Sequence, residues 1–148
     1  MNLEKITFPD GTVIWPCCNV YPSVELGENC SVGAFTEIGA SVQIGDRTRI
    51  GAHCFIPEGT FLGSDVFLGP GYVGTNDCFP PSPRENWEET IIKDGARIGA
   101  GCVILPGVTI GEKALIGAGS VVTKSVPAGE QWCGNPARKM ERKWPHDG

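Results

Sequence analysis

Aliphatic residues recur on a six-residue beat at Val20, Leu26, Val32, Ile38, Ile44, Ile50, Ile56, Leu62 and Leu68, and again at Ile92, Ile98, Ile104, Ile110, Ile116 and Val122. Four residues after most of them stands a small side chain, as at Val24, Cys30, Thr36, Val42, Thr48 and Cys54, and glycine usually follows the aliphatic residue directly. A helix repeats near 3.6 residues and a flat strand at two, so neither carries this period. Six residues suffice for one short strand and one turn, and hexads of this kind are the signature of a parallel β-helix. Three hexads, about 18 residues, make one triangular coil with the aliphatic side chain inside the prism and the smaller residue beside it. An amphipathic helix or a chance succession of Ile-Gly pairs does not account for fifteen positions in phase. The pattern predicts an all-β solenoid of about five triangular coils, whose core is a stack rather than a globule.

The coil is expected over 14–74 and 91–126. Between them, over 75–90, the beat fails: three prolines, Phe79 and Trp87 describe a loop thrown out of the prism, and loops of this length are usually functional. Before the coil, Ile6, Phe8 and the Asp10–Gly11 turn predict a cap over the first open edge. After it, Pro127, Gly129, Gly134 and Pro136 end the repeat and leave a short tail, 127–148.

Composition narrows the class. At 148 residues the chain is read as a single domain, 1–148, and its net charge of −5 with a pI near 5.0 argues against a general role on nucleic acid or a membrane surface. The basic residues Arg138, Lys139, Arg142 and Lys143 near the C-terminus form the only local patch. No apolar run approaches a membrane span, and the first ten residues are too polar for a secretory signal, so a cytoplasmic location is expected. Cys30, Cys54 and Cys102 take the small inward position as reduced fillers, and Cys17, Cys18, Cys78 and Cys133 show no paired metal-ligand spacing. No metal is expected.

Stacked coils convert spacing into a site. If the beat resumes on the third face after the loop, Gly74, Ile104 and Val122 share a face, as do Ile50, Leu68, Ile98 and Ile116. The edge carrying Ala100 and Ala118 then runs down through Pro70 to Ala52 and His53. Small corners leave backbone groups accessible, and basic residues at the upper end suit a long, thin ligand with an anionic terminus.

The hexads, the loop, and the sequence Ile-Gly-Ala-Gly-Ser-Val-Val-Thr-Lys-Ser-Val-Pro (116 to 127) followed by Gly-Asn-Pro-Ala-Arg-Lys (134 to 139) resemble the left-handed β-helix acyltransferases. Gly-Ala-His-Cys-Phe-Ile (51 to 56), Phe-Leu-Gly-Pro (67 to 70) and Thr-Asn-Asp (75 to 77) are similar more narrowly to the nucleotide-linked amino-sugar N-acetyltransferases. That resemblance implies left-handedness, a homotrimer, and acetyl-CoA bound between subunits along coil corners. On this chain it implies donor contacts at Ala100 and Ala118, with Lys124, Arg138 or Lys139 near the phosphates. The expected reaction is N-acetylation of a dTDP- or UDP-linked amino sugar.

Attack on a thioester needs an aligned nucleophile and a route for its proton. An alcohol requires a general base, normally histidine, whereas a neutral amine attacks with its own lone pair. Where hexapeptide O-acetyltransferases place a His-Pro pair, this loop carries Asn76 and Asp77, which favours an amine. Asn76 and Asp77 are the candidates for orienting the amine and managing its proton. His53 is a candidate base or sugar ligand, and His146 is the third residue from the end of the sequence. The alternative is an O-acetyltransferase acting on a saccharide or serine hydroxyl with His53 as base. A γ-type carbonic anhydrase needs three zinc-bound histidines and the chain has two; an ice-binding solenoid needs a regular threonine face, which the mixed outward residues do not supply.

Overall fold

The computed structural model describes residues 4–141, so His146, Arg142 and Lys143 lie outside the described residues. The chain winds as a left-handed parallel β-helix with three flat faces. The first face carries Val13–Ile14, Ser31–Val32, Arg49–Ile50, Phe67–Leu68, Arg97–Ile98, Leu115–Ile116 and Gln131–Gly134. On the second are Asn19–Val20, Glu37–Ile38, Phe55–Ile56, Val73–Gly74, Val103–Ile104 and Val121–Val122. The third holds Glu25–Leu26, Gln43–Ile44, Phe61–Leu62, Ile91–Ile92 and Thr109–Ile110. Each strand is two residues long except the last of the first face, so one residue points out and the hexad aliphatic residue points in. Inward Ile38, Ile56, Leu68, Ile98 and Ile116 are fully buried.

The expected faces hold: Gly74 pairs with Ile104 and Ile104 with Val122, while Ile50, Leu68, Ile98 and Ile116 pair in series. Stacked partners are 18 residues apart below the loop and 30 apart across it. The loop therefore inserts twelve residues at the edge between the second and third faces without disturbing the register.

The solenoid has about seven turns rather than five. The lower end keeps the hexad beat, and the upper end extends the stack beyond it. Val13–Ile14 forms the first rung of its face, with Ile6–Thr7 folded antiparallel over it as the expected cap. Gln131–Gly134 forms the last, with Trp132 opposite Ile116 and Ala137–Lys139 folded back antiparallel. Trp132 follows Ile116 out of the hexad phase, so periodicity alone does not register that rung.

The small inward residues are donors as well as fillers. Thr48 Oγ1 donates to the Gly63 carbonyl at 2.7 Å, Thr36 Oγ1 to Gly51 at 3.0 Å, and the thiols of Cys30, Cys54 and Cys102 to Gly45, Gly69 and Gly117 at 3.2, 3.4 and 3.1 Å. Each satisfies a corner carbonyl of the coil above. Burial pushes all three of these thiols above their ordinary pKa, consistent with inert core residues. One rung inverts the rule. Tyr72 occupies the small position, fully buried, and Gly74 occupies the large one; a Cβ on Gly74 would lie 2.6 Å from Pro57 Cδ and 3.1 Å from the Tyr72 hydroxyl. The phenol thus fills the space an aliphatic side chain vacates, at the point where the loop leaves the prism.

Candidate functional site

The edge between the first and second faces differs from the third-to-first edge in one respect. At the third-to-first edge, the backbone N–H that follows Gly27, Gly45 and Gly63 is capped from the next coil: Glu28 N–H by Asp46 Oδ1 at 2.9 Å, Asp46 N–H by Ser64 Oγ at 3.0 Å, Ser64 N–H by Asp94 Oδ1 at 2.9 Å. The same positions of the first-to-second edge are Ala34, Ala52, Pro70, Ala100 and Ala118, whose side chains cannot accept. The N–H groups of Ala52, Ala100 and Ala118 consequently have no acceptor among the described residues. They form a ladder of free donors.

Beside that ladder runs a second column, Cys17, Phe35, His53, Gly71, Gly101 and Gly119, tied rung to rung by backbone bonds such as His53 N–H to Ala34 O at 2.9 Å and Gly101 N–H to Pro70 O at 2.9 Å. All six have positive φ. Glycine is the residue that adopts this conformation without strain, and a Cβ at Gly101 or Gly119 would meet nothing within 4 Å. Above His53 there is therefore an open lane lined by Gly71, Gly101 and Gly119, with free amides along its side. Below it the column becomes aromatic.

His53 stands at the lower end of the lane. It is exposed, its ring stacks on Phe35, and the imidazole has no hydrogen-bond partner among the described residues. Ala100 and Ala118 are exposed two and three rungs above Ala52, as the spacing predicts. Arg138 is exposed at the top of the first face, paired across the hairpin with Cys133, while Lys139 is tied to Glu130 at 3.3 Å. Glu130 is held below its ordinary pKa first by the Trp132 indole N–H, then by Lys139. Lys124 is elsewhere. It lies on the second-to-third edge, in the column of Glu58, Asn76 and Pro106, with its Nζ 5.6 Å from the Trp132 ring.

Asn76 and Asp77 open the loop on that same second-to-third edge, so one chain does not bring them onto the edge of His53; the outward side chains of the second face lie between. Asn76 Nδ2 donates to the Glu58 carbonyl at 3.4 Å, and its own carbonyl accepts the Glu88 N–H at 2.7 Å, closing the base of the loop. The Asp77 carboxylate accepts from Ser82 Oγ at 2.6 Å, Ser82 N–H at 2.8 Å and Phe79 N–H at 3.1 Å, with the Trp87 side chain a further donor. The Ser82 hydroxyl, then the backbone donors and Trp87, hold its pKa below the ordinary value despite some desolvation. A carboxylate so engaged is a poor proton acceptor. Within one chain its carboxylate organises the loop. Arg84 pairs with Glu58 and adds a second tie from loop to coil.

Sequence reasoning missed Phe35, because a phenylalanine among hexad positions carries no chemical signal; only the stacked column shows it beneath His53. Among the described residues no three His, Cys, Asp or Glu side chains gather as a metal site would require, and no helix is long and apolar enough to cross a membrane.

Several solved structures share this architecture. A histidine-to-alanine variant of GDP-perosamine N-acetyltransferase from Caulobacter crescentus, in complex with CoA and GDP-perosamine, is 30% identical, with 88% of this chain and 57% of that one aligned at a TM-score of 0.78. The acetyltransferase domain of PglB from Neisseria gonorrhoeae FA1090, in complex with acetyl coenzyme A, is 25% identical over 88% of this chain and 58% of that one, with a TM-score of 0.78. WeeI from Acinetobacter baumannii AYE is 30% identical over 87% and 57%, with a TM-score of 0.75. The chain thus spans somewhat over half the length of these relatives. No curated protein sequence matches it significantly. Residues 7–40, 27–58 and 89–124 match the bacterial transferase hexapeptide (six repeats) profile, more than half of the chain, and the protein belongs to that family.

Proposed function

We propose that the protein is an acyltransferase that moves the acetyl group of acetyl-CoA onto the amino group of a nucleotide-linked amino sugar. The observation that carries this reading is the open lane: free N–H groups of Ala100 and Ala118 beside unobstructed Gly101 and Gly119, ending at an unpartnered His53. An extended chain of amides and methylenes fits such a lane, its carbonyls accepting from the ladder and its anionic head meeting Arg138 at the top. Solved relatives that hold CoA, acetyl coenzyme A and GDP-perosamine support the same assignment.

In the reaction, the neutral amine attacks the thioester carbonyl carbon, the C–N bond forms, the C–S bond breaks, and the amine proton passes through His53 to the departing thiolate. His53 has both ring nitrogens uncommitted and so can serve as that relay. Asn76 and Asp77 contribute by shaping the loop. Because His53 and Asn76 stand on different edges, and because Phe61, Ile91 and Phe79 expose apolar surface, we assign the working form as a closed homotrimer in which a second copy supplies the outer wall of the site and brings Lys124 or Lys139 towards the donor phosphates. Seven cysteines, all free thiols, fit the reducing interior of a cell.

The acceptor nucleotide is proposed as dTDP or UDP, with GDP the alternative suggested by the perosamine relative. Thiol release from acetyl-CoA with a panel of dTDP-, UDP- and GDP-linked amino sugars tests the assignment. Turnover with at least one amino sugar is expected, and none with the whole panel would overturn it.

A further inference from the structure

We propose that the hollow beneath the 75–90 loop is the subsite for the acceptor's sugar ring and takes an aminohexose, not the nucleotide. This rests on the acetyl-transfer reading above. The hollow encloses about 210 Å³ against the second face, walled by the rings of Tyr21, Phe55 and Trp87, with Glu37, Glu58 and Asn76 among its polar lining. A pyranose has two C–H faces, which pack on aromatic rings, and a rim of hydroxyl or amino groups, which need donors and acceptors at fixed places. The lining supplies both.

Charge decides which end of a nucleotide sugar enters. Glu58 is neutralised by Arg84. Glu37 has a single hydrogen bond, from Asn19 Nδ2 at 3.3 Å, and no cation within ion-pair distance among the described residues. An unneutralised carboxylate repels a pyrophosphate and attracts a protonated amine or hydroxyl donors. The sugar end therefore fits, and the nucleotide is directed outward.

Position agrees. Phe55, whose ring walls the hollow, follows His53 by two residues round the corner, so the hollow lies on the face that separates the foot of the lane from the loop. Trp87 does not swing freely: its N–H bonds Arg84 O at 3.0 Å, its side chain reaches the Asp77 carboxylate, and Asp77 in turn holds Ser82 and Phe79. Asp77 is thereby a positioning residue that acts through Trp87.

The test compares wild type with Glu37→Gln, Trp87→Ala and Trp87→Phe in two measurements. In steady-state transfer to a nucleotide-linked amino sugar, Glu37→Gln and Trp87→Ala should each raise the acceptor KM at least tenfold, leave the acetyl-CoA KM within twofold, and Trp87→Phe should recover most of the loss. In saturation-transfer NMR, a methyl aminohexoside without any nucleotide should contact wild type and lose contact in Trp87→Ala. Wild type that acetylates no amino sugar yet binds the methyl glycoside through Trp87 sinks the reaction and spares the subsite. Unchanged acceptor KM and unchanged glycoside binding in the variants sinks the subsite and spares the reaction. Trp87→Ala that changes the oligomeric mass by light scattering without weakening sugar binding would identify the hollow as a subunit contact and also overturn the proposal.

Discussion

The imidazole of His53 lies parallel to the phenyl ring of Phe35, with 5.2 Å between ring centroids and 8° between planes. Both residues are held at positive φ, 56° and 59°, where a bulky side chain strains the backbone. Higher rungs of the same column use glycine. Phe35 is 53% exposed, so burial does not explain its presence, whereas a floor under the imidazole of the proposed relay does.

Phe35→Gly should therefore separate stability from activity. Relief of left-handed strain, about 1–2 kcal/mol, offsets the lost stack, about 0.5–1.5 kcal/mol, so the urea midpoint should barely move. Turnover should fall about tenfold or more, because an imidazole free to swing is misaligned with the thioester. A variant with unchanged turnover would reduce Phe35 to a surface residue.

The lane makes a steric prediction. Asparagine tolerates positive φ better than other side chains, so Gly101→Asn should fold, and its side chain should project into the space above His53. The acetyl-CoA KM should rise about tenfold with the acceptor KM unchanged. An unaltered acetyl-CoA KM would place the donor elsewhere.

For Asp77 the expected effect is on shape. Its folded pKa is depressed by Ser82, Phe79 and Trp87, so its support for the loop is complete above the ordinary aspartate range and is lost only as pH falls through the lower folded value. Trp87 fluorescence, identified by difference against Trp87→Phe, should stay flat from neutrality down to that range. Asp77→Asn should raise the acceptor KM while keeping the wild-type pH profile of kcat. Loss of about 10²- to 10⁴-fold in kcat together with loss of its pH dependence would instead make Asp77 the base.

The fold was legible because fifteen aliphatic residues and their glycines repeat a period that only a solenoid uses. The paired faces and the Ala52-to-Ala118 edge followed from counting eighteen. One rung escaped because it breaks phase: Trp132 replaces an aliphatic residue at an irregular interval, whereas Ile14 keeps the beat, six residues before Val20. Candidate residues were legible where the residue type itself offers chemistry, as with the imidazole of His53. They were illegible where it is carried by contact. Nothing in the letters shows that Asp77 spends its lone pairs on Ser82 and Phe79, or that Lys124 turns over Trp132 on another edge.

Thr48 tests the hydrogen-bonded core. It is fully buried, donates to the Gly63 carbonyl and accepts the Val66 N–H at 3.2 Å. Thr48→Val keeps the shape and strands both backbone groups, which should cost about 1–3 kcal/mol in urea unfolding. A cost near zero would show that the column acts by volume alone.

The central claim is transfer to an amine at the foot of the lane. It is met most directly by comparing wild type and His53→Ala on one nucleotide-linked amino sugar and its hydroxyl analogue, following thiol release from acetyl-CoA. Wild type should strongly prefer the amine, and His53→Ala should lose about 10²- to 10⁴-fold on it, in keeping with loss of a proton relay, while retaining measurable turnover. Preference for the hydroxyl analogue, with activity abolished by His53→Ala, would contradict the account and make the protein an O-acetyltransferase with His53 as its general base.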